Sequence, residues 1–197
     1  LEKWALESEC VGGTLNKQAD SFYLYSGASV TTITGLSHLQ GEEVVVWANG
    51  KYLGDYTVSS SQITGLSESV TSAVVGLTYR ARYKSVKLAH IADRTGTALT
   101  QPKKVNQLGL IMQNTHYQGV TYGPDFDNLD DLPGVENGAT TAADTVWSDY
   151  DEGMFEFDGY WDTDSRICLE SNAPKPCNIL GCVVGITLSE KNHRDDP

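Results

Sequence analysis

Positive charge is scarce in this chain. Fourteen Lys and Arg stand against 26 Asp and Glu, for a formal net charge of −12 at pH 7 and a pI of about 4.6. Such a surface repels phosphate, so the chain is a poor holder of nucleic acid. It suits a surface that stays soluble or lets nucleic acid pass without sticking. Cysteine is also sparse: Cys10, Cys168, Cys177 and Cys182, with no C-x-x-C pair and only His193 as a nearby histidine. They read as small buried hydrophobes in a chain made in a reducing cytosol, ahead of a disulfide and well ahead of zinc. No two of His38, His90, His116 and His193 lie within six residues of each other, so no local metal box exists. Gly-x-Ser-x-Gly, Walker and dinucleotide motifs are missing. The longest apolar stretch, 179–188, is broken by Gly181 and Gly185 and is far short of a membrane-spanning helix. Leu1 stands where a Met would start a chain, so we expect the tail end of a longer or processed polypeptide.

What is present points to β structure. A hydrophobic share of 40% with 20% charged residues is ordinary for a globular chain, which argues against disorder. The 19 glycines and 10 tyrosines favour strands and turns. The clearest signal is the run Val44-Val45-Val46-Trp47-Ala48 followed by Asn49-Gly50 and then Lys51 to Val58. Asn-Gly between two β-rich runs predicts a tight type I′ hairpin. Val44, Val46 and Ala48 fall on one face, Val45 and Trp47 on the other. In the return strand Tyr52, Tyr56 and Val58 are expected on one face, Leu53 and Thr57 on the other.

Other strands are expected at 21–26, ended by Gly27, and at 30–34, 63–66, 70–75 and 79–88, the last with Arg80, Arg82 and Lys84 on one face. Residues 1–11 fit a helix or a strand equally. Residues 89–100 read as a linker. Pro102 cannot donate to a ladder, so a strand should begin after it, with Leu108, Leu110 and Met112 inward. Residues 117–147, rich in Gly, Pro and Asp, read as a long irregular loop. Residues 154–161 and 165–170 read as an antiparallel pair around a turn at 162–164. Residues 177–188 read as a buried closing strand, and 190–197 as a charged tail. The fold class is mainly β: a small β-barrel or sandwich module inserted in or beside a second antiparallel β domain, with long irregular loops. The expected division is 1–26, the end of a preceding β domain; 27–90, the small module with the Asn-Gly hairpin; and 91–197, a C-terminal β domain with an acidic loop and the closing strand.

A family resemblance sits on the module. Gly35-Leu36-Ser37-His38-Leu39-Gln40-Gly41, then Trp47-Ala48-Asn49-Gly50, then Val75-Gly76-Leu77-Thr78-Tyr79 follow one another in that order. This succession resembles the tail nozzle (tubular or stabilisation) proteins of short-tailed bacteriophages. It continues more loosely through Lys103-Lys104-Val105, Gly159-Tyr160-Trp161-Asp162 and Ala173-Pro174-Lys175-Pro176. The resemblance implies the C-terminal part of a structural virion protein, assembled in the host cytoplasm and placed in the virion tail. It implies other copies in a ring, a hexamer, as partners, with tail adaptor and tail fibre proteins as neighbours. Viral DNA would pass through the channel without specific binding, and no membrane anchor is implied.

Candidate chemistry is weighed against plainer readings. Asp125, Asp127, Asp130 and Asp131 alternate as calcium ligands do, but the sixth position of an EF-hand loop needs Gly and holds Asp130 here, so a solvated acidic loop or a partner contact is favoured. Asp158, Asp162 and Asp164 beside Tyr160 and Trp161 suggest a glycoside hydrolase pair, yet an Asx turn explains them better. His38 is expected to bond its loop rather than act as a base. Arg80, Arg82 and Lys84 read as partners of acidic neighbours or as a blunted strand edge. No catalytic, cofactor-binding or metal-binding residue is assigned, and no enzyme activity is expected. The rival class is a carbohydrate-binding or glycan-active tail-fibre domain using Tyr117, Tyr122, Trp147, Tyr160 and Trp161. A metal-dependent hydrolase using the aspartates is a weaker third.

Overall fold

The computed structural model describes residues 19–89, 91–93, 96–97, 99–136, 138–151 and 153–189. The expectations for 1–11 and 190–197, and for Cys10, His90 and His193, lie outside the described residues. In chain order the strands are β1 (Asp20–Val30), β2 (Thr32–Thr34), β3 (Glu43–Ala48), β4 (Lys51–Thr57), β5 (Gln62–Thr64) and β6 (Val70–Leu77). Next come β7 (Arg80–Lys84), β8 (Ile91–Asp93), β9 (Gly96–Thr97), β10 (Lys103–His116), β11 (Thr121–Asp125) and β12 (Asn128–Asp131). The last are β13 (Val135–Glu136), β14 (Ala139–Thr140), β15 (Val146–Tyr150), β16 (Phe155–Glu156), β17 (Cys168–Asn172) and β18 (Ile179–Leu188). Among the described residues there is no α-helix. The class is mainly β, built from several antiparallel sheets with no closed barrel.

The first sheet has the order β1-β6-β3-β4, with β2 and β5 paired beside it. Its centre is the β3–β4 hairpin, where Asn49 (φ 53°) and Gly50 (φ 80°) occupy the left-handed region that a type I′ turn requires. Val44, Val46 and Ala48 bury into a core with Ile33, Leu36, Leu39, Val58, Ile63 and Val75. Each Val, Ile and Leu among them contributes about 1.5–3 kcal/mol of hydrophobic stabilisation. Val45 and Trp47 are also buried, in a second cluster on the opposite face with Ala19 and Val74. The return strand departs from the alternation expected of it. Val46 pairs with Gly54 and Trp47 with Tyr52, so Leu53 is an extra residue. This bulge, at Gly54 (φ 116°), puts Tyr52 on the Trp47 face while Leu53, Tyr56 and Val58 pack into the first core.

A second hairpin turn lies at Ser60 (φ 51°) and Ser61 (φ 58°), with reciprocal backbone bonds between Ser59 and Gln62 at 2.9 and 3.0 Å. Gly76 is needed for close approach: a Cβ there would lie 2.6 Å from the Asp20 carbonyl oxygen and 2.8 Å from Ala19 Cβ. β1 is longer than expected and mostly exposed, with Gly27 inside it rather than at its end. It is an edge strand, and its ladder is interrupted between Ser26 and Val30.

The second body is organised on β10. β18 pairs with one side of it, and β15 and β16 with the other. Leu108, Leu110 and Met112 face inward, as the alternation required. A further sheet runs β12-β11-β17-β7. Thus β7 pairs with β17, not with the first sheet. Residues 117–147 are not one irregular loop: they hold β11 to β14 and the start of β15, and Val120, Tyr122, Leu132 and Trp147 are core residues. Residues 154–170 are not a hairpin either, because β16 pairs with β10 while β17 pairs with β11 and β7. β18 is a strand as expected but is not buried: Leu180 is 67% and Val183 53% exposed. Its outer edge has no strand partner among the described residues.

Candidate interaction surfaces

The two bodies meet at Trp47. Its indole stands edge-on to His116, with ring centroids 5.9 Å apart at 80°, and Val146 of β15 packs on the same cluster. His116 is buried and stacked on Tyr117. Its Nδ1 accepts from the Gln118 N–H at 3.0 Å, so the neutral ring carries its proton on Nε2. Nε2 has no hydrogen-bond partner, and the nearest carboxylate oxygen, Asp144 Oδ1, lies 4.0 Å away. Burial lowers the His116 pKa, Lys175 lowers it further, and Asp144 opposes both.

Beside this junction a cleft of about 440 Å³ separates the bodies, lined by Tyr52 and Asp55 on one wall and Thr121, Asp131, Glu170 and Lys175 on the other. Tyr52 donates to Asp55 at 2.6 Å; burial first, and then that bond, raise its pKa. Glu170, almost fully buried, receives Arg82 at 2.7 Å and Arg80 at 3.4 Å. Burial alone would raise its pKa, but the bonds from Arg82 and Asn172 and the charge of Arg80 outweigh it and the net shift is downward. The basic face of β7 is thus partly matched by an acidic neighbour.

Lys103, fully buried, donates from Nζ to the carbonyls of Thr163 at 2.8 Å, Gln101 at 3.1 Å and Leu99 at 3.4 Å. It staples the segment before β10 to the 162–165 turn. Burial and Lys87 lower its pKa against the pull of Asp162 and Asp164.

The acidic groups are built into turns. Asp125 Oδ1 accepts from the Asp127 N–H and from Asn128 Nδ2, both at 2.9 Å, closing the β11–β12 hairpin. Asp162 Oδ1 accepts from the Asp164 N–H at 3.1 Å, the Asx turn expected from the residue types. Among the described residues no three His, Cys, Asp or Glu side chains converge as a metal site needs. His38 donates from Nε2 to the Ser21 carbonyl at 3.0 Å, tying its loop to β1 rather than closing its own turn.

The aromatics expected to act together fall into three groups: Tyr117 with Trp147, Tyr122 by itself, and Tyr160 with Trp161. Trp147 packs on Tyr150 and Tyr117, and Tyr122 packs on Phe155 and Phe157, all within the core cluster or against it. Only Tyr160 and Trp161 are exposed. Among the thiols, Cys168 is buried, Cys177 half-buried and Cys182 exposed, so the last is not the buried hydrophobe expected of it. All three are free. Exposed Ile111, Met154, Leu180 and Val183 lie on or beside β10 and β18; Met154 and Val183 flank Gly109.

What could have announced these features was weak. An Arg-x-Arg on one strand and a Glu on another carry no pairing information until register is known. A lone His or Lys in a β run has no motif. Neither a family model nor a curated protein matches this chain.

Proposed function

We propose that this chain is a structural subunit of a bacteriophage tail nozzle, the ring that extends the DNA-exit channel below the portal and adaptor. The observation that carries the reading is the ordered motif succession in the module. Its residues also build that module. Leu36 and Leu39 of the Gly-Leu-x-His-Leu-x-Gly run are core residues, Trp47 forms the junction, and Gly76 admits the start of β1. Open sheet edges and an exposed apolar face around β18 support self-association. The partners under this reading are copies of itself in a hexameric ring, then adaptor and fibre proteins, with viral DNA passing an acidic wall unbound. The site is the virion tail, after assembly in the host cytoplasm, and the role is not catalytic. Immunogold labelling of tailed particles tests this: label confined to the tail axis is expected, and label on peripheral fibres overturns it.

A second reading, a glycan-binding fibre domain, draws on exposed Tyr160 and Trp161. Sugar rings stack on such surfaces. Binding on a glycan array that Trp161→Ala abolishes would favour it.

A further inference from the structure

The sheet β12-β11-β17-β7 ends in two edges of opposite charge. At one end β7 carries Arg80, Arg82 and Lys84, every residue of it exposed. At the other, β12 carries exposed Asp130 and Asp131, next to the Asp125–Asn128 turn. Glu170 neutralises part of the basic end, one carboxylate against Arg80 and Arg82. Neither edge has a further strand partner among the described residues.

The backbone of β7 is also set for pairing. Backbone bonds to the β17 segment run through Tyr79, whose carbonyl accepts from Ala173 at 2.9 Å, and through Ser85, whose N–H donates to Ile167 at 2.9 Å. Hydrogen-bonded positions alternate along an antiparallel ladder. The N–H and C=O groups of Arg80, Arg82 and Lys84 therefore point away from β17. Direction completes the match. All three pairings in this sheet are antiparallel, so β7 and β12 run in opposite senses. A second copy moved along the sheet without being turned over sets its β12 antiparallel to β7.

We propose that β7 of one copy pairs with β12 of the next, so that this sheet continues from subunit to subunit. The contact is heterologous, basic edge to acidic edge, which is the kind that generates a ring when its rotation closes. The occupant of each edge is thus another copy of this chain. This deepens the ring reading above and rests on it.

The experiment is mass photometry of the purified full chain, with circular dichroism to confirm folding. Arg80→Glu with Lys84→Glu makes both edges acidic, and Arg82 is left in place to keep Glu170 paired. Asp130→Lys with Asp131→Lys makes both edges basic. Each variant alone is expected to stay monomeric where the wild type assembles. Mixing the two is expected to restore assembly, as is combining all four changes in one chain. Raising NaCl from about 0.05 to 0.5 M should weaken wild-type association at least tenfold, because the Debye length falls severalfold; this arm needs no variant. Wild-type assembly that ignores salt, or reversed variants that assemble alone, overturns the edge pairing and leaves the ring intact. A wild type that stays monomeric at every concentration overturns the ring reading itself.

Discussion

Trp47 of β3 and His116 of β10 meet edge-to-face at 5.9 Å, and this contact joins the two β bodies. The histidine has no acceptor for its own Nε2–H, and burial, then Lys175, lower its pKa against the opposing pull of Asp144. Lys51 on β4 pairs with Glu68 at 2.8 Å, and the charge of Asp144 acts on it only weakly. The junction therefore places one titratable ring between the opposing charges of Asp144 and Lys175.

The first prediction concerns pH. A histidine whose folded pKa lies below 6.5 binds fewer protons in the folded than in the unfolded state. Stability is then fully present above pH 6.5 and declines as pH falls through the folded pKa. Urea midpoints measured from pH 7.5 to 5 should decline, and His116→Asn should flatten that part of the curve. Asn keeps an acceptor for the Gln118 N–H without titrating. Glu170 acts lower: its pKa is depressed, so its contribution is present above about 4.5 and lost as pH falls through the folded value. Glu170→Gln should therefore lower stability at every pH above about 4.5 and flatten only the more acidic limb.

The second prediction concerns the hairpin turns. Gly50→Val places a β-branched residue at φ 80° and should cost about 1–2 kcal/mol or more, read as a lower melting temperature. Ser61→Gly should act the other way. Ser61 sits at φ 58° with its backbone bonds already made, so removing the Cβ relieves about 1 kcal/mol of left-handed strain. An unchanged melting temperature in both would misplace the turns.

Lys103 supplies the third. Lys103→Met keeps most of the volume but deprives the carbonyls of Thr163 and Gln101 of their donor. A loss of about 1–3 kcal/mol in chemical denaturation is expected. Lys103→Arg should not rescue it, because a planar fork does not fit a cage shaped for a compact ammonium.

Thiol reactivity is the fourth. Exposed Cys182 should react with a thiol reagent in the native protein. Cys168 should stay silent until unfolding, since burial both shields it and raises its pKa. Modification of Cys182→Ser at the wild-type rate would contradict the placement of β18.

Local chemistry was readable where it depends on neighbours in the chain. Asn49-Gly50, the alternation of Leu108, Leu110 and Met112, and the Asp162 turn each follow from residue types at short spacing. Pairing partners were not readable. β7 lies close in sequence to β6 but bonds to β17, some 90 residues on, because register depends on which faces the whole fold buries. Tyr52 changed face because a bulge shifts the alternation, and Gly54 marks it only once the register is known. Tyr117, Tyr122 and Trp147 looked like a binding set because residue type does not distinguish a core aromatic from an exposed one. Glycine, proline and aspartate over 117–147 signalled breaks correctly. They did not show that the pieces between the breaks were strands, two of which, β11 and β15, place Tyr122 and Trp147 in the core.

The central claim is that this chain works as a subunit of a closed ring. Electron microscopy of the purified protein at low salt, with class averages taken along the particle axis, tests it most directly. The account predicts closed rings of uniform copy number around an open centre. Isolated monomers, or open chains of varying length, would contradict it.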